Sequence, residues 1–491
     1  MKALLVYPET PDTFWSFKHA LKFIRKRAAF PPLGLLTLGA MLPKTWTVRL
    51  IDMNVQRLSE KELKWADMVF VSGMIVQKHS AHQVISRCKK EGLTVVAGGP
   101  LFTCEHEQFE GVDHFVLNEA ELTLPPFLDD LEKGQAKRYY QSSQFCNMKE
   151  TPAPRWDLIK LKHYASMSIQ FSRGCPFNCD FCNVTSLFGH QPRIKRPEQI
   201  MKELDSLYDS GWHGQVFIVD DNLIGNKGYL KKKLLPELIR WRKGKKGMPF
   251  NTEASIDLAD DRILMEMMVE AGFDTVFIGI ESPDEMSLAE CNKRQNKNRD
   301  LLESVKRIQR EGLQVQGGFI VGFDNDTSFI FQRQIDFIQK SGIVTAMVGL
   351  LQAPVGTKLY ERLKKEGRLL GGMSGNTDGT TNIVTRMNLE TLRKGYGNVL
   401  NHIYSHQHYY QRIKTFLKEY SAPKAKTPLD IQRFLAFFRS SIRLGVFGKE
   451  RFHYWMIFFW TLFHRPSLLT LVITFAVYRY HFEKISNLHI R

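Results

Sequence analysis

The sequence predicts an α/β protein with two successive parallel-sheet units and a helical C-terminal region. In the first unit, short apolar runs alternate with helical patterns such as 33–42 and 79–91. The runs lie at 2–7, 47–52, 67–72, 93–97 and 114–117. This alternation is typical of a doubly wound, Rossmann-like sheet of about five parallel strands. A second series of strands and helices begins at residue 167, and the alternation stops after Lys358.

The same patterns set the expected domain boundaries. We expect a first domain at 1–133, a linker at 134–166, a second domain at 167–370 and a helical region at 371–491. The linker shows little periodicity and contains a Thr-Pro-Ala-Pro stretch. The predicted strands of the second domain lie at 167–172, 215–220, 249–255, 275–280, 315–321 and 345–351. Its predicted helices include 197–210, 228–243, 260–271 and 299–311.

Charge and cysteine content bear on the possible binding partners and on the redox compartment of the protein. Lys and Arg number 68 against 51 Asp and Glu, giving a net charge of +17. This excess is compatible with nucleic acid, anionic cofactors or an anionic membrane face and does not choose among them. Three of the seven cysteines are clustered, which suits a reducing interior better than a disulfide scaffold. The first residues run directly into a strand without a signal-peptide pattern, so we expect a cytoplasmic protein.

Three cysteines follow the first strand of the second unit at CxxxCxxC spacing: Cys175, Cys179 and Cys182. Three thiolates in one short loop cannot all form disulfides with one another, but they can bind one soft metal centre. Zinc usually takes a fourth ligand, which His190 could supply, so zinc remains open on these residues. The three-cysteine set favours an iron–sulfur cluster with one iron left free for another ligand.

The cysteine motif, with Phe181 before its last cysteine, resembles the radical S-adenosylmethionine superfamily. The resemblance implies a partial (β/α)6 barrel and a four-iron, four-sulfur cluster held by the three cysteines. It also implies that the free iron binds the amino and carboxylate groups of S-adenosylmethionine. Because barrel chemistry lies at the carboxyl ends of strands, we expect polar and small residues there to contact this cofactor. They are Asp220, Asp221, Asn222, Glu253, Ser255, Glu281, Ser282, Gly318 and Gly322.

The strand ends of the first domain carry a second candidate binding site. They are Asp52 and Asn54, Ser72 and Gly73, Gly98 and Gly99, and Asn118 and Glu119. Ligands of doubly wound sheets bind at this edge, although the glycines alone could also mark tight turns. The layout, with the Phe30–Leu35 stretch, resembles the cobalamin-binding domain that precedes many radical cores. The Asp52–Val55 segment contains no His, so we expect no histidine lower ligand for cobalt there.

The sequence pattern of the C-terminal tail, residues 430–491, predicts contact with a membrane surface. We expect a flexible loop at 371–382 and helices across 389–420. Two apolar runs, 454–463 and 467–478, are too short for the roughly 20 residues that span a bilayer. Their basic flanks, Lys449, Arg451, Arg479 and Lys484, favour a helical hairpin in the membrane interface. The alternative is that both helices form part of the core.

Taken as a whole, the chain resembles the cobalamin-dependent radical S-adenosylmethionine methylases, and among them the hopanoid-methylase group. The stretches at 220–226, 279–283 and 318–324 carry that resemblance. It implies methylation of an unactivated carbon through methylcobalamin, on a polycyclic or isoprenoid lipid, with an electron donor such as flavodoxin or ferredoxin. A soluble natural-product substrate is the alternative, and a tRNA-modifying or regulatory cobalamin protein is a lesser one. No RNA-binding module follows the core, so we do not expect nucleic acid as a partner.

Overall fold

The computed structural model describes residues 1–422 and 431–489. Residues 423–430 and 490–491 of the predicted C-terminal region lie outside this description. The described chain contains two six-stranded sheets, a small two-stranded ladder and a bundle of C-terminal helices.

The N-terminal sheet is entirely parallel and has the order β2-β1-β3-β4-β5-β6. Its strands are β1 (Lys2–Tyr7), β2 (Thr47–Asp52), β3 (Met68–Ser72), β4 (Thr94–Gly98), β5 (His114–Val116) and β6 (Tyr139–Tyr140). The helices around it are α1 (Lys18–Leu21), α2 (Leu33–Met41), α3 (Glu60–Trp65), α4 (Lys78–Lys90), α5 (Pro100–Glu105) and α6 (Ala120–Glu132). The strand order reverses at β1, which places the usual ligand crevice at the carboxyl ends of β1 and β3.

Five strands of this sheet agree with the predicted runs, and the sixth comes from the segment expected to be a linker. Tyr139–Tyr140 pairs in parallel with β5, with Phe115 opposite Tyr139. The two rings stack at a centroid distance of 5.4 Å. A two-residue strand has too short a pattern to be read from sequence, so its pairing is visible only in the folded chain.

The central sheet is also parallel, in the sequential order β7-β10-β11-β12-β13-β14. Its strands are β7 (Ser166–Ile169), β10 (Gln215–Ile218), β11 (Phe250–Glu253), β12 (Phe273–Glu281), β13 (Gln314–Val321) and β14 (Ala346–Leu350). The strands β8 (Ser172–Arg173) and β9 (Arg193–Ile194) form the separate antiparallel ladder. The helices are α7 (Val184–Phe188), α8 (Pro197–Asp209), α9 (Lys227–Tyr229), α10 (Leu235–Arg242), α11 (Arg262–Ala271), α12 (Glu285–Glu290), α13 (Leu301–Arg310), α14 (Ile330–Ser341) and α15 (Lys358–Lys365).

This sheet is the open, six-unit arrangement that the sequence predicts. Each strand is followed by a crossover that returns the chain in parallel beside it, as short buried strands separated by helices require. The inner residues of β12 alternate in burial with those facing outward, and β14 is buried throughout. The carboxyl ends of all six strands therefore share one edge.

The C-terminal region is helical, with α16 (Leu389–Ile403), α17 (His406–Glu419), α18 (Ile431–Ser440), α19 (Arg451–His464) and α20 (Leu469–His489). Among the described residues, no helix is both long and apolar enough to cross a bilayer. The loop at 371–382, expected to be flexible, is fixed by side chains of the barrel edge. The side-chain amide of Gln352 donates to the carbonyl of Asn376 (3.0 Å). The Asn382 side chain accepts from the backbone N–H of Ala353 and donates to its carbonyl (2.9 Å each).

The second apolar run of the tail packs partly into the core, which agrees for this run with the alternative that the helices form part of the core. Val472, Phe475 and Ala476 of α20 are buried. Arg479, expected as a membrane flank, is also buried and pairs with Glu450 (3.2 Å). An apolar run of this length fits a core helix as well as an interfacial one, so only its packing partners distinguish the two.

Candidate active site

The three cysteines lie in one loop whose two ends are tied together. Strand β8 enters the loop and β9 leaves it, with Arg173 paired opposite Arg193. Within the loop, the backbone N–H of Cys175 donates to the carbonyl of Gly189 (3.2 Å). Gly174 has φ of +95°, and a side chain there would collide with three backbone carbonyls. The ladder and this glycine therefore fold the loop back on itself, which brings the three thiols to one side.

The thiols influence one another electrostatically. Burial first, and then the neighbouring Cys179, raise the pKa of Cys175, and the same two causes raise the pKa of Cys182 to about 12. Thiolates are the ligand form, so a cationic centre must offset this raised pKa. All three are free cysteines of intermediate exposure.

The zinc alternative needs His190 as a fourth ligand. Within residues 1–422 and 431–489, no three or more His, Cys, Asp or Glu side chains close around a single ion. His190 is exposed. The three cysteines of this loop supply the thiolate ligands that an iron–sulfur cluster takes.

The two carboxylates after β10 have different partners. Asp220 is buried and accepts hydrogen bonds from the backbone N–H groups of Phe171 (2.8 Å) and Ser172 (2.7 Å). It also accepts one from the Ser172 hydroxyl (2.6 Å). Asp221 instead accepts from the backbone N–H of Gly174 (3.1 Å), directly before the first cysteine. Asp220 thus fixes the end of β7, and Asp221 faces the cysteine loop.

Asn222 connects the ends of β10 and β11. Its side-chain oxygen accepts from the backbone N–H of Ser255 (3.2 Å), and its amide donates to the Ser255 hydroxyl (3.2 Å). Asn222 is buried, so this pair holds the loop after β11 against the loop after β10. Glu253 is the last residue of β11, two positions before Ser255.

Glu253, Glu281 and Lys293 form the charged part of the site. Burial raises the pKa of Glu253 to about 8, with Asp221 the next cause, while Lys293 acts in the opposite direction. No described residue forms a hydrogen bond with its carboxylate. Glu281 forms an ion pair with Lys293 (2.7 Å), and both side chains are largely buried. Glu253 is therefore available to a cationic group of a ligand.

The backbone at Glu281 is unusual. Its φ is +62°, and the pairing of β12 with β13 shifts register between Gly279 and Glu281. A Cβ at Gly279 would lie 2.2 Å from the Glu281 carboxylate and 2.8 Å from the Lys293 ammonium. Backbone strain of this kind is kept where the surrounding structure requires it. Here the strained residue and the missing side chain together make room for the ion pair. The next residue, Ser282, is fully buried.

The end of β13 is shaped by a buried carboxylate that sequence reasoning did not single out. Asp326 accepts from the backbone N–H groups of Gly322 (2.7 Å) and Phe323 (3.1 Å) and from the Ser287 hydroxyl (2.7 Å). Burial raises its pKa to about 6. Gly318 lies opposite Gly279 in the register of β13 and β12, so neither strand presents a side chain at this level. Phe181 packs edge-on to Phe323 at 6.4 Å between ring centroids.

At the N-terminal sheet, Asp52 and Asn54 organise the ends of β1 and β2. One Asp52 oxygen accepts from Asn54, through its backbone N–H (2.9 Å) and its amide (2.8 Å). The other accepts from the hydroxyl of Tyr164 (3.0 Å), which lies just before β7. Burial raises the pKa of Asp52. No histidine occupies this segment, and His82 is stacked on Phe109 (4.2 Å between centroids).

The remaining strand ends of this sheet lie close together. A Cβ at Gly99, where φ is +86°, would lie 2.3 Å from the Ser72 hydroxyl. The Gly73 carbonyl accepts from the backbone N–H of Leu101 (3.1 Å). Asn118 has φ of +63° and donates its backbone N–H to Thr103 (2.9 Å). Gly98 packs against the Val116 carbonyl. These strand ends present backbone and uncharged polar groups, which suit a large neutral ligand.

Glu119 lies at the junction of the two sheets. Its carboxylate forms ion pairs with Arg173 (3.0 Å) and Arg193 (2.9 Å), which are opposite each other in the ladder that closes the cysteine loop. It also accepts from the backbone N–H of Cys146 (2.7 Å). Glu121 pairs with Arg173 as well (2.9 Å). We call Glu119, Glu121, Arg173 and Arg193 the inter-sheet clasp. It fixes the end of β5 to the base of the cysteine loop.

Sequence reasoning missed several side chains near the cysteines. Lys293 lies 5.9 Å from the ring centroid of Phe181. Burial lowers the pKa of Lys293, but Glu281 first and then Cys179 and Cys182 raise it above its ordinary value. Gln295 donates a hydrogen bond to the sulfur of Cys179 (3.7 Å). Both residues belong to a charged, glycine-free loop after α12 that matches no motif. Only the fold places that loop beside the cysteines.

The combination of these features defines a class. A parallel sheet whose strand order reverses at β1 contacts an open six-stranded parallel barrel that carries a three-cysteine loop. Such a pair of units is the architecture of an enzyme that combines cobalamin with radical S-adenosylmethionine chemistry. Family models agree: "B12 binding domain" matches residues 27–128, and "Radical SAM superfamily" matches 169–337. Residues 357–491 match a "Domain of unknown function (DUF4070)".

Comparison with curated proteins identifies the family. The chain is 41% identical over 491 residues to an uncharacterized methyltransferase of Synechocystis sp., covering 98% of this chain and 91% of that protein. It is 35% identical over 376 residues to the hopanoid C-2 methylase of Rhodopseudomonas palustris, covering 75% of this chain and 71% of that protein. The chain belongs to the cobalamin-dependent radical S-adenosylmethionine methyltransferases. Its cofactors are a four-iron, four-sulfur cluster, S-adenosylmethionine and cobalamin.

A solved structure shares the fold. The cobalamin-dependent S-adenosylmethionine radical enzyme OxsB with aqua-cobalamin bound matches with a TM-score of 0.63 at 16% sequence identity. The match covers 99% of this chain and 84% of that chain. The predicted fold class and the predicted cofactors are thus confirmed.

Proposed function

We propose that this methyltransferase acts on an unactivated carbon of a polycyclic or isoprenoid lipid such as a hopanoid. The observation that carries this proposal is the 35% identity to a hopanoid C-2 methylase over three quarters of the chain. When bound, the cluster with S-adenosylmethionine supplies a radical that activates a C–H bond, and cobalamin supplies the methyl group. The chain itself binds and orients these groups and keeps water from them.

In this proposal, Cys175, Cys179 and Cys182 hold the cluster. Lys293 lies beside them as a buried cation, and Gln295 donates a hydrogen bond to one ligand sulfur; both features stabilise negative charge on the cluster. The remaining S-adenosylmethionine site consists of strand-end residues of the barrel. We assign to it Phe181, Asp221, Glu253, Glu281, Ser282, Gly318 and Gly322, with Asp220, Asn222 and Ser255 holding the loops in place.

Glu253 and Asp221 suit the cationic part of S-adenosylmethionine. Asp221 faces the cysteine loop, and Glu253 has no hydrogen-bond donor among the described side chains. A bound ammonium would supply the positive charge that these neighbouring carboxylates lack, and it would lower the pKa of Glu253. The cationic cofactor and the acidic pocket are thereby matched in charge.

For cobalamin we propose the crevice at the carboxyl ends of β1 to β5. Its rim residues are Asp52, Asn54, Ser72, Gly73, Gly98, Gly99 and Asn118. Glu119 belongs to this edge too, but its carboxylate oxygens are engaged in the inter-sheet clasp. We therefore assign Glu119 the role of positioning the N-terminal sheet relative to the cysteine loop.

The domain limits proposed from the sequence, 1–133, 134–166, 167–370 and 371–491, remain our working division. For the reductant we propose a flavodoxin or ferredoxin, since small acidic electron carriers complement the net charge of +17. A lipid substrate would also place the enzyme at the inner face of a membrane, in peripheral contact through its tail.

The test is a product assay with reconstituted enzyme. Purified protein with its cluster and cobalamin would be reduced and incubated with a detergent-dispersed hopanoid and methyl-labelled S-adenosylmethionine. We expect a labelled lipid one methyl group heavier, detected by mass spectrometry. Cys175→Ala is the control and should form neither methylated lipid nor 5′-deoxyadenosine. Methylation of soluble scaffolds with no lipid product would contradict the substrate proposal.

A further inference from the structure

Helices α18 and α19 carry apolar side chains that no other part of the described chain covers. On α19, the exposed side chains Phe452, Met456, Phe459 and Phe463 recur at spacings of four, three and four residues. These positions share one helix face. Phe452 and Phe463 are 75% and 78% exposed. The large apolar side chains that a globular protein does expose usually lie singly, and a contiguous exposed stripe marks an interaction surface.

A second exposed stripe continues the first along α18 and the turn that follows it. Phe438, Ile442 and Val446 recur every four residues, and Phe447 is 80% exposed. The two helices are joined by their inner faces. The ring of Phe437 stacks on Phe458 at 5.7 Å between centroids, and Trp455 donates to the carbonyl of Gly445 (2.9 Å).

The exposed charged side chains of this segment, residues 435–468, are positive. Arg443, Lys449 and Arg451 are exposed at the edge of the two stripes. The sole carboxylate between residues 435 and 468 is Glu450, which is buried against Arg479. An exposed apolar band with a cationic edge and no exposed carboxylate complements the acyl and headgroup layers of an anionic bilayer.

We propose that the α18–α19 face is the membrane-docking surface of this enzyme and that it binds the interface of anionic bilayers. The proposal deepens the lipid function proposed above and rests on it for its biological purpose. It assigns the contact to α18 and α19, because the apolar side chains Val472, Phe475 and Phe482 of α20 are buried. Phe14 and Phe482, for example, lie 5.5 Å apart between centroids.

The docking face places a lipid substrate near the barrel without a spanning helix. Helix α19 packs against both α17 and α20, which in turn contact the barrel and the N-terminal segment. Arg439 donates to the carbonyl of Phe23 (2.8 Å), so the docked helices are also connected to the first domain. A bilayer at this face would therefore be held at a fixed orientation relative to both sheets.

The test compares two surface variants of the full-length holoenzyme in vesicle flotation. One carries Phe447→Ser, Phe452→Ser and Phe463→Ser. The matched control carries Phe329→Ser, which removes a ring of equal exposure (76%) from the barrel surface. All of these rings are mostly in water in the folded chain, so we expect both variants to fold and to assemble the cluster normally.

With vesicles of phosphatidylcholine and phosphatidylglycerol, the triple variant should bind more weakly than wild type by at least about tenfold, since each buried ring contributes apolar area. The Phe329→Ser protein should bind as wild type does. Binding should also fall with added salt and on pure phosphatidylcholine vesicles. Wild-type flotation that the triple variant retains, or no flotation of wild type at all, would overturn the proposal.

Sedimentation distinguishes the other occupant of an apolar face. A wild-type dimer that the triple variant loses would assign the face to a second copy of the chain and would also overturn the proposal.

The detergent assay described above separates the docking hypothesis from the substrate hypothesis. If the triple variant methylates a detergent-dispersed hopanoid normally but does not float, docking and substrate are both supported. Flotation without lipid methylation by wild type would leave the docking face intact and refute the substrate.

Discussion

The inter-sheet clasp provides the sharpest test of how the two sheets are coupled. We consider the substitution Glu119→Gln. Oε1 of Glu119 accepts from Arg173 (3.0 Å) and Arg193 (2.9 Å), and Oε2 accepts from Arg193 (2.9 Å) and the Cys146 backbone N–H (2.7 Å). Glutamine keeps the shape but replaces one oxygen with an NH2 donor. That donor would face another donor wherever it pointed, and both ion pairs would lose their charge.

The expected cost follows from burial. The Glu119 side chain is only 1% exposed, and removing one partner of a buried ion pair costs about 3–5 kcal/mol. Glu121 still pairs with Arg173, and Arg193 is partly exposed, so the loss should lie at the lower end. We therefore expect a decrease of about 3 kcal/mol in the free energy of unfolding.

Urea denaturation followed by tryptophan fluorescence measures this change, and limited proteolysis reports whether the sheets separate first. The control is Asp157→Asn, which removes an exposed pair with Arg155 and should cost less than about 1 kcal/mol. If Glu119→Gln behaves like the control while weakening cobalamin binding, Glu119 acts by contacting the cofactor. In that case the clasp argument is refuted.

Three further predictions concern the barrel. Lys293→Met leaves the Glu281 carboxylate buried without its cation, so we expect the free energy of unfolding to fall by about 3 kcal/mol. Calorimetry should also show weaker binding of S-adenosylmethionine. If Lys293→Arg restores neither the stability nor the binding in full, the site needs the ammonium group itself. Hydrogen bonds from Arg368 lower the pKa of Asp324 to about 2, so its ionised form stabilises the fold at neutral pH. Asp324→Asn should therefore cost about 1.5 kcal/mol at pH 7 after solvent screening, and urea titrations should show the difference from wild type shrinking as pH falls from about 4 to about 2; a constant difference would contradict this. Asp220→Asn can satisfy only part of the three hydrogen bonds that fix the end of β7, so we expect reduced cluster charge-transfer absorption after reconstitution, whereas normal absorption would show that this anchor is dispensable.

Much of the architecture follows from local sequence pattern. The longer strands of both sheets were predictable because each is a short apolar run bounded by helical periodicity, and all predicted strands are present within a few residues. The cysteine motif was likewise visible as a spacing, since three soft ligands in eight residues have few other uses. Strand ends could be named as candidate sites because parallel strands end at one edge.

Contacts between segments far apart in the chain could not be predicted in this way. Lys293 and Gln295 have no motif, and they reach Cys179 only because the loop after α12 folds over the cysteine loop. The β8–β9 ladder and the strand at Tyr139–Tyr140 are two residues long, which is below what periodicity resolves.

The tail shows the same division most clearly. Its sequence determined that 454–463 and 467–478 are apolar, basic at their flanks and too short to span a bilayer. The tertiary structure decided which of them is covered, because burial depends on neighbours rather than on the residue itself. Packing against α17 and the N-terminal segment buries α20 and Arg479, and the same packing leaves the outer faces of α18 and α19 in contact with solvent. Composition sets what a segment can bury, and the fold sets what it does bury.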